Sequence, residues 1–122
     1  MSVVEPIAIT GLGCLSGAGM NLAESMESLF LNQRNPKPPV RFSTDHPVSY
    51  PVLELRDEFE LPLDDQETVY ARTSQLALVA ALEALADAGW DQETLRGKRV
   101  GVCIGTTVGC ALNCDDFYRA YK

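Results

Sequence analysis

Residues 69–88, VYARTSQLALVAALEALADA, constrain the fold of this chain more than any other stretch. Leu76, Ala77, Leu78, Val79, Ala80, Ala81, Leu82 and Leu85 follow one another with hardly a polar interruption. At helical spacing they cover most of the circumference and leave only a narrow outward stripe of Arg72, Gln75, Glu83 and Asp87. The stretch is predicted to be a helix from about Val69 to Ala88, with Gly89 as its C-terminal cap. So wide an apolar surface requires burial on more than one side, and its alanines allow a sheet to come close.

Two short apolar runs are the natural partners. Ile7, Ala8 and Ile9 read as a buried strand that breaks into the small-residue turn GLGCLSGAG at 11–19. Val100, Val102 and Ile104 alternate with smaller residues and break into Gly105, Thr106, Thr107, Val108 and Gly109. Between them, Asn21 is a predicted N-cap with Glu24 three residues on, and Leu22, Met26, Leu29 and Phe30 form one apolar stripe that ends at Asn32, Asn35 and Pro36. Asp91 to Leu95 is read as a short polar turn.

The order strand, helix, irregular segment, helix, strand predicts an α/β layer structure with two parallel strands joined by a right-handed crossover. In such sheets ligands gather beyond the carboxyl ends of the strands, which makes the turn after Ile104 the best-placed site. One domain spans residues 1–122, with no second domain and no internal repeat. Two strands and two helices are a thin core for so apolar a helix, so the fold is expected to be incomplete within this chain.

Residues 36–68 are predicted to be an irregular connection, because six of the seven prolines lie between Pro36 and Pro62. Val40 with Phe42, and Val52 with Leu53 and Leu55, are expected as edge strands or as packing over the domain. Glu54, Asp57, Glu58, Glu60, Asp64, Asp65 and Glu67 crowd together with Arg56, a pattern read as a solvated loop.

The chain carries 17 acidic against 10 basic residues, a formal charge of -7. No basic cluster is present, which excludes nucleic acid as a partner. There is no apolar run of about 18 residues and no signal-peptide pattern, so a soluble, cytoplasmic protein without membrane insertion is expected. Cys14, Cys103, Cys110 and Cys114 with His46, the sole histidine, match no common zinc spacing, so no metal site is predicted. Cys110 and Cys114 are read as small apolar fillers at the start of a helix rather than nucleophiles. Gly11 and Gly13 fit the first two positions of the dinucleotide fingerprint, but Ser16 occupies the third and the acidic residue some 20 positions on is missing. No P-loop pattern occurs, and no cofactor is predicted.

Three segments together resemble the N-terminal part of the β-ketoacyl-acyl-carrier-protein synthases, the condensing enzymes of fatty acid and polyketide synthesis. They are IAITGLGCLSGAG at 7–19, ARTSQLALVAALEALADAGW at 71–90 and RVGVCIGTTVG at 99–109. PVRFST and HPVSYPVLELRDEF are similar to that family's connecting stretch of short strands. The resemblance implies part of the N-terminal half of a thiolase-like, layered α-β-α-β-α fold. It implies decarboxylative Claisen condensation on a carrier protein, acyl carrier protein as partner, and a homodimer for the intact protein. The family's cysteine and two histidines would lie beyond Lys122, so no catalytic residue is assigned to this chain and none of Cys103, Cys110, Cys114 or His46 takes their place. The one position carried over is Val108, as a wall of the acyl pocket. The chain departs from the family at Ala71, where Asp precedes the arginine, and in the glycine turn, where Thr107 and Cys110 replace glycines. Two other readings of the same fold are a non-catalytic binding or assembly module and a homologue resembling a chain-length factor.

Overall fold

The structure is a computed structural model, and it describes residues 6–33, 36–55, 70–107, 109 and 111–121. Among these described residues four helices follow in order: α1 (Leu22–Phe30), α2 (Arg72–Asp87), α3 (Gln92–Arg96) and α4 (Ala111–Tyr121).

The ends of α1 and α2 follow from their residues. Asn21 adopts an extended backbone and its side-chain oxygen accepts the Glu24 N–H at 2.8 Å, while Glu24 reaches back to the Met20 N–H at 2.9 Å. At the other end Asn32 takes a left-handed φ of 52°. The Asn32 N–H then donates to Leu29 and the Gln33 N–H to Ser28, which satisfies carbonyls the helix leaves open. α2 stops in the same way. Gly89 has φ 69°, and the N–H groups of Gly89 and Trp90 donate to Ala86 and Leu85. α2 begins three residues later than expected from the sequence, with Ala71 as its N-cap and no side-chain hydrogen bond closing its first turn. Alanine there forgoes the capping oxygen that Asp supplies, a difference of about 1 kcal/mol.

The stretch expected as a turn at 91–95 is the short helix α3. The Asp91 carboxylate accepts the Thr94 N–H at 2.7 Å and the Thr94 hydroxyl at 2.6 Å. These two bonds, the hydroxyl's foremost, hold the Asp91 carboxyl below its ordinary range.

Segment 11–14 lies along α2 and runs antiparallel to it. A Cβ on Gly11 would strike the Ala84 carbonyl and the Ala88 amide, and one on Gly13 would strike the Ala80 carbonyl and the Ala84 amide. The spacings match. Two residues of extended chain advance about 6.6 Å and four residues of helix about 6.0 Å, so alternate glycines meet every fourth alanine. The residues between them turn their amides the other way: Leu12 N–H donates to Asp87 at 2.9 Å and Cys14 N–H to Glu83 at 2.8 Å. Of the expected outward stripe, Asp87 is exposed but Glu83 is half-buried. Both accept amides of the 11–14 segment, Asp87 at the surface and Glu83 partly buried.

Among the described residues the two expected strands have no pairing partner. Among the described residues the only β interactions are isolated antiparallel bridges, Ser16 with Gly19 and Lys37 with Val52. Ile7 and Ile9 stand 96% and 83% exposed, and Val102 82%. Among the described residues no apolar side chain is buried, and α1 turns its stripe of Met26, Leu29 and Phe30 outward. What α1 buries is Ser25, 3% exposed, whose hydroxyl lies 3.3 Å from that of Ser16. The Pro-rich connection is irregular over 36–55 apart from the Lys37–Val52 bridge, as its prolines dictate. It packs on the glycine loop, since a Cβ on Gly17 would come within 2.6 Å of the Leu53 carbonyl. The remainder of the connection, 56–68, lies outside the described residues.

Gly13→Ala is expected to lower stability by about 1–3 kcal/mol, because backbone stands where the methyl must go. Gly101→Ala, with nothing within 4 Å of its added methyl, should leave the denaturation midpoint nearly unchanged; equal midpoints for the two variants would contradict the packing. The lowered Asp91 carboxyl stabilises α3 above the pH at which an unfolded aspartate titrates, and that contribution is lost as pH falls through the lower folded value. A pH titration of α3 amide shifts should therefore have a midpoint below that of an ordinary aspartate, and Thr94→Ala should move the midpoint back up.

Candidate functional site

Two glycine-bearing loops flank α2. The first, 14–22, is closed by Glu83. One carboxylate oxygen accepts Cys14 N–H and the other accepts Leu22 N–H, both at 2.8 Å. Leu22 is the first residue of α1, so a helix on the far side of the loop finds its acceptor on α2. Inside the loop, Ser16 and Gly19 exchange backbone hydrogen bonds at 2.9 and 3.2 Å, and the Ser28 hydroxyl donates to the Ala18 carbonyl at 2.7 Å. The resemblance of Gly11 and Gly13 to a dinucleotide turn has a different physical meaning here. Both glycines are spent on contact with α2, where no pyrophosphate has room to approach.

The second loop follows Ile104. Gly109 has a left-handed φ of 59°. Its N–H donates to the Thr106 hydroxyl oxygen at 3.0 Å, and its carbonyl accepts the hydroxyl of Thr73 in the first turn of α2 at 2.9 Å. The turn expected to hold ligand is thus fastened to α2 by a hydrogen bond spanning 36 residues. Val108, the one site residue expected from the sequence, lies outside the described residues, as does Cys110.

A cavity of about 460 Å³ opens elsewhere, between the first loop and the Pro-rich connection. Lys37, Val40, Arg41, Leu53 and Glu54 line it together with Gly17, and none of the described residues of 99–109 does. The Glu54 carboxylate is not the solvated charge expected. It accepts the N–H groups of Val40 and Arg41 at 3.1 Å and so fixes one wall. Burial lowers the Arg72 guanidinium at the start of α2 below its ordinary value, and the charge of Arg41 adds to this, so the connection and α2 approach each other there.

The described cysteines, Cys14, Cys103 and Cys114, and the histidine do not converge on a site. Cys103 and Cys114 are exposed and Cys14 is half-buried. His46 is exposed beside Tyr50, and its Nδ1 interacts with the backbone of Val48 at 3.0 and 3.2 Å. Among the described residues no group of three His, Cys, Asp or Glu side chains stands close enough to hold a metal ion. No helix among them is long and apolar enough to cross a membrane. The bonding roles of Glu83, Asp87, Thr73 and Thr106 are not among the expectations from the sequence. The signal for the first two was present in Ala80, Ala84 and Ala88 at fourfold spacing with an acid just before each of the last two, Glu83 and Asp87.

A glycine segment is laid on an alanine-faced helix, and a second glycine turn is tied to the first turn of that helix. Residues 4–121 match the family described as β-ketoacyl synthase, N-terminal domain, and the chain belongs to that family. Membership brings with it a thiolase-like fold. The chain is 47% identical over 53 residues to the tetracenomycin polyketide synthase ketoacyl synthase alpha subunit of Streptomyces glaucescens, covering 43% of this chain and 12% of that protein. It is 28% identical over 105 residues to 3-oxoacyl-[acyl-carrier-protein] synthase 2 of Coxiella burnetii, covering 84% of this chain and 25% of that protein. The chain therefore spans a quarter or less of the length of these relatives. No solved structure matches the chain significantly.

Proposed function

We propose that the chain is the N-terminal portion of a 3-oxoacyl-[acyl-carrier-protein] synthase, acting in fatty acid or polyketide synthesis in the cytoplasm. The observation that carries this reading is the family match across residues 4–121. In the intact enzyme an acyl group is held as a thioester on a cysteine. A malonyl unit on acyl carrier protein loses carbon dioxide, and the resulting carbanion attacks the thioester carbonyl and displaces the thiolate. That cysteine and two histidines lie beyond Lys122, so the 122 residues are not catalytic by themselves. The intact protein is a homodimer.

The described residues support an incomplete domain. Ile7, Ile9, Val100, Val102 and Ile104 are exposed, yet their spacing suits strands buried in a layered sheet. The rest of the synthase completes that sheet and covers them. Residues 1–122 then form one segment of the N-terminal domain, and Val108 lines the acyl pocket at the turn that Thr73 and Thr106 hold. The chain contributes a wall and a scaffold, while the reacting groups come from elsewhere in the enzyme.

The purified 122-residue chain should neither consume malonyl-acyl carrier protein nor be labelled by a covalent inhibitor directed at ketosynthase cysteines. Extending the sequence through the family's cysteine should restore both. Condensing activity from the 122 residues would contradict this division of labour, and failure of the extended protein to condense would favour a non-catalytic assembly module of the same fold.

A further inference from the structure

We propose that the cavity between the first glycine loop and the Pro-rich connection is a binding site for a small organic carboxylate with an apolar body, whose charge is met by Lys37. The cavity has a volume of about 460 Å³, an ordinary size for a small-molecule site. None of the described residues of 99–109 lines it, so the proposal does not depend on the reading of Val108. Its walls are joined through the backbone at three places. Lys37 and Val52 exchange N–H to C=O hydrogen bonds at 3.0 and 2.8 Å. The Glu54 carboxylate accepts the N–H groups of Val40 and Arg41 at 3.1 Å. The Leu53 carbonyl stands 2.6 Å from where a Cβ on Gly17 would be, so loop and connection meet there with no side chain between them. Such links hold an irregular stretch in one shape, and a site whose walls are already in place spends little on ordering when it binds.

The chemistry of the lining selects the ligand. Val40, Val52, Leu53 and Leu55 supply an aliphatic surface, and Lys37 and Arg41 bring two positive charges against the one carboxylate of Glu54. A local excess of cations runs against the formal charge of -7 on the chain as a whole. Both Glu54 oxygens are engaged by backbone amides, and among the described residues no carboxylate pairs with the Lys37 ammonium. A neutral molecule would leave that ammonium without a counterion. A dianion such as a phosphate monoester would bring its second charge into the same cavity as Glu54, where like charges repel. A carboxylate carries the one charge that Lys37 can match in a charge-assisted hydrogen bond, while its apolar body displaces water from the aliphatic wall.

The test uses the full-length protein that contains this chain, with cyclohexanecarboxylate as the probe. Ligand-observed NMR gives its affinity, and hydrogen exchange shows where it binds. Saturating cyclohexanecarboxylate should slow exchange in peptides spanning 36–42 and 51–55 and leave 99–107 unchanged. Cyclohexylmethanol, which keeps the body and lacks the charge, should bind at least about tenfold more weakly, as expected for the loss of one charge-assisted hydrogen bond. Lys37→Met should weaken cyclohexanecarboxylate by a similar factor, and Lys37→Arg should bind it as the parent does. Glu54→Gln keeps an oxygen for the Val40 and Arg41 amides and removes the negative charge; it should tighten cyclohexanecarboxylate and raise the affinity for cyclohexyl phosphate still more. Equal binding of the carboxylate and the alcohol, unchanged affinity in Lys37→Met, or protection that falls on 99–107 instead of 36–55 would each overturn the proposal, as would the absence of binding to the parent.

Discussion

The contact between a glycine segment and the alanine face of α2 is the constraint on which the other described elements depend. Hydrogen atoms at Gly11 and Gly13 let an extended backbone lie against Ala80, Ala84 and Ala88 at a distance no other residue permits. Once it is there, the amides of Leu12 and Cys14 fall opposite Asp87 and Glu83. Each amide would otherwise need a strand partner, so the two carboxylates do the work of a sheet edge. Glu83 then extends the link to Leu22 N–H and fixes where α1 begins. From α1, Ser25 and Ser28 hold the loop that the Pro-rich connection covers. A chain with no buried apolar side chain among its described residues thus keeps its layout through close backbone approach and charge-assisted hydrogen bonds.

What was legible in the sequence was local. The Asn21 cap with Glu24, and the stops of α1 at Asn32 and of α2 at Gly89, each depend on residues within one turn of the helix end, and all appear in the structure. The short helix after Asp91 reads as a turn in the sequence because five residues give no periodicity, although Asp91 caps it through its side chain. The strands were another matter. Ile7–Ile9 and Val100–Ile104 have strand chemistry, but a strand exists only when another segment pairs with it, and pairing is non-local. That Glu83 and Asp87 accept amides 61 to 75 residues away is hidden, because a polar residue on a helix gives no sign in the sequence of which distant amide it will meet. The same reason hid Thr73 and Glu54.

For the site, the sequence marked the turn after Ile104 but not what fastens it. Val108 was carried over from a family resemblance, and it lies outside the described residues; Gly109 and its two threonine partners are within them. The described thiols and the imidazole are dispersed and exposed or half-buried. α2 holds both loops: its C-terminal half seats the first, and its first turn is hydrogen-bonded to the second.

The most direct test of this organisation is residue-resolved hydrogen exchange at Leu12, Cys14 and Leu22, comparing the parent chain with Glu83→Ala. If one carboxylate closes the first loop onto α2, Cys14 and Leu22 are both protected in the parent, and both lose protection by a similar factor in the variant, with Leu12 less affected because Asp87 remains. If Cys14 and Leu22 exchange at unprotected rates in the parent, or if only one of them responds to loss of Glu83, the carboxylate does not join the two and the account fails at its centre.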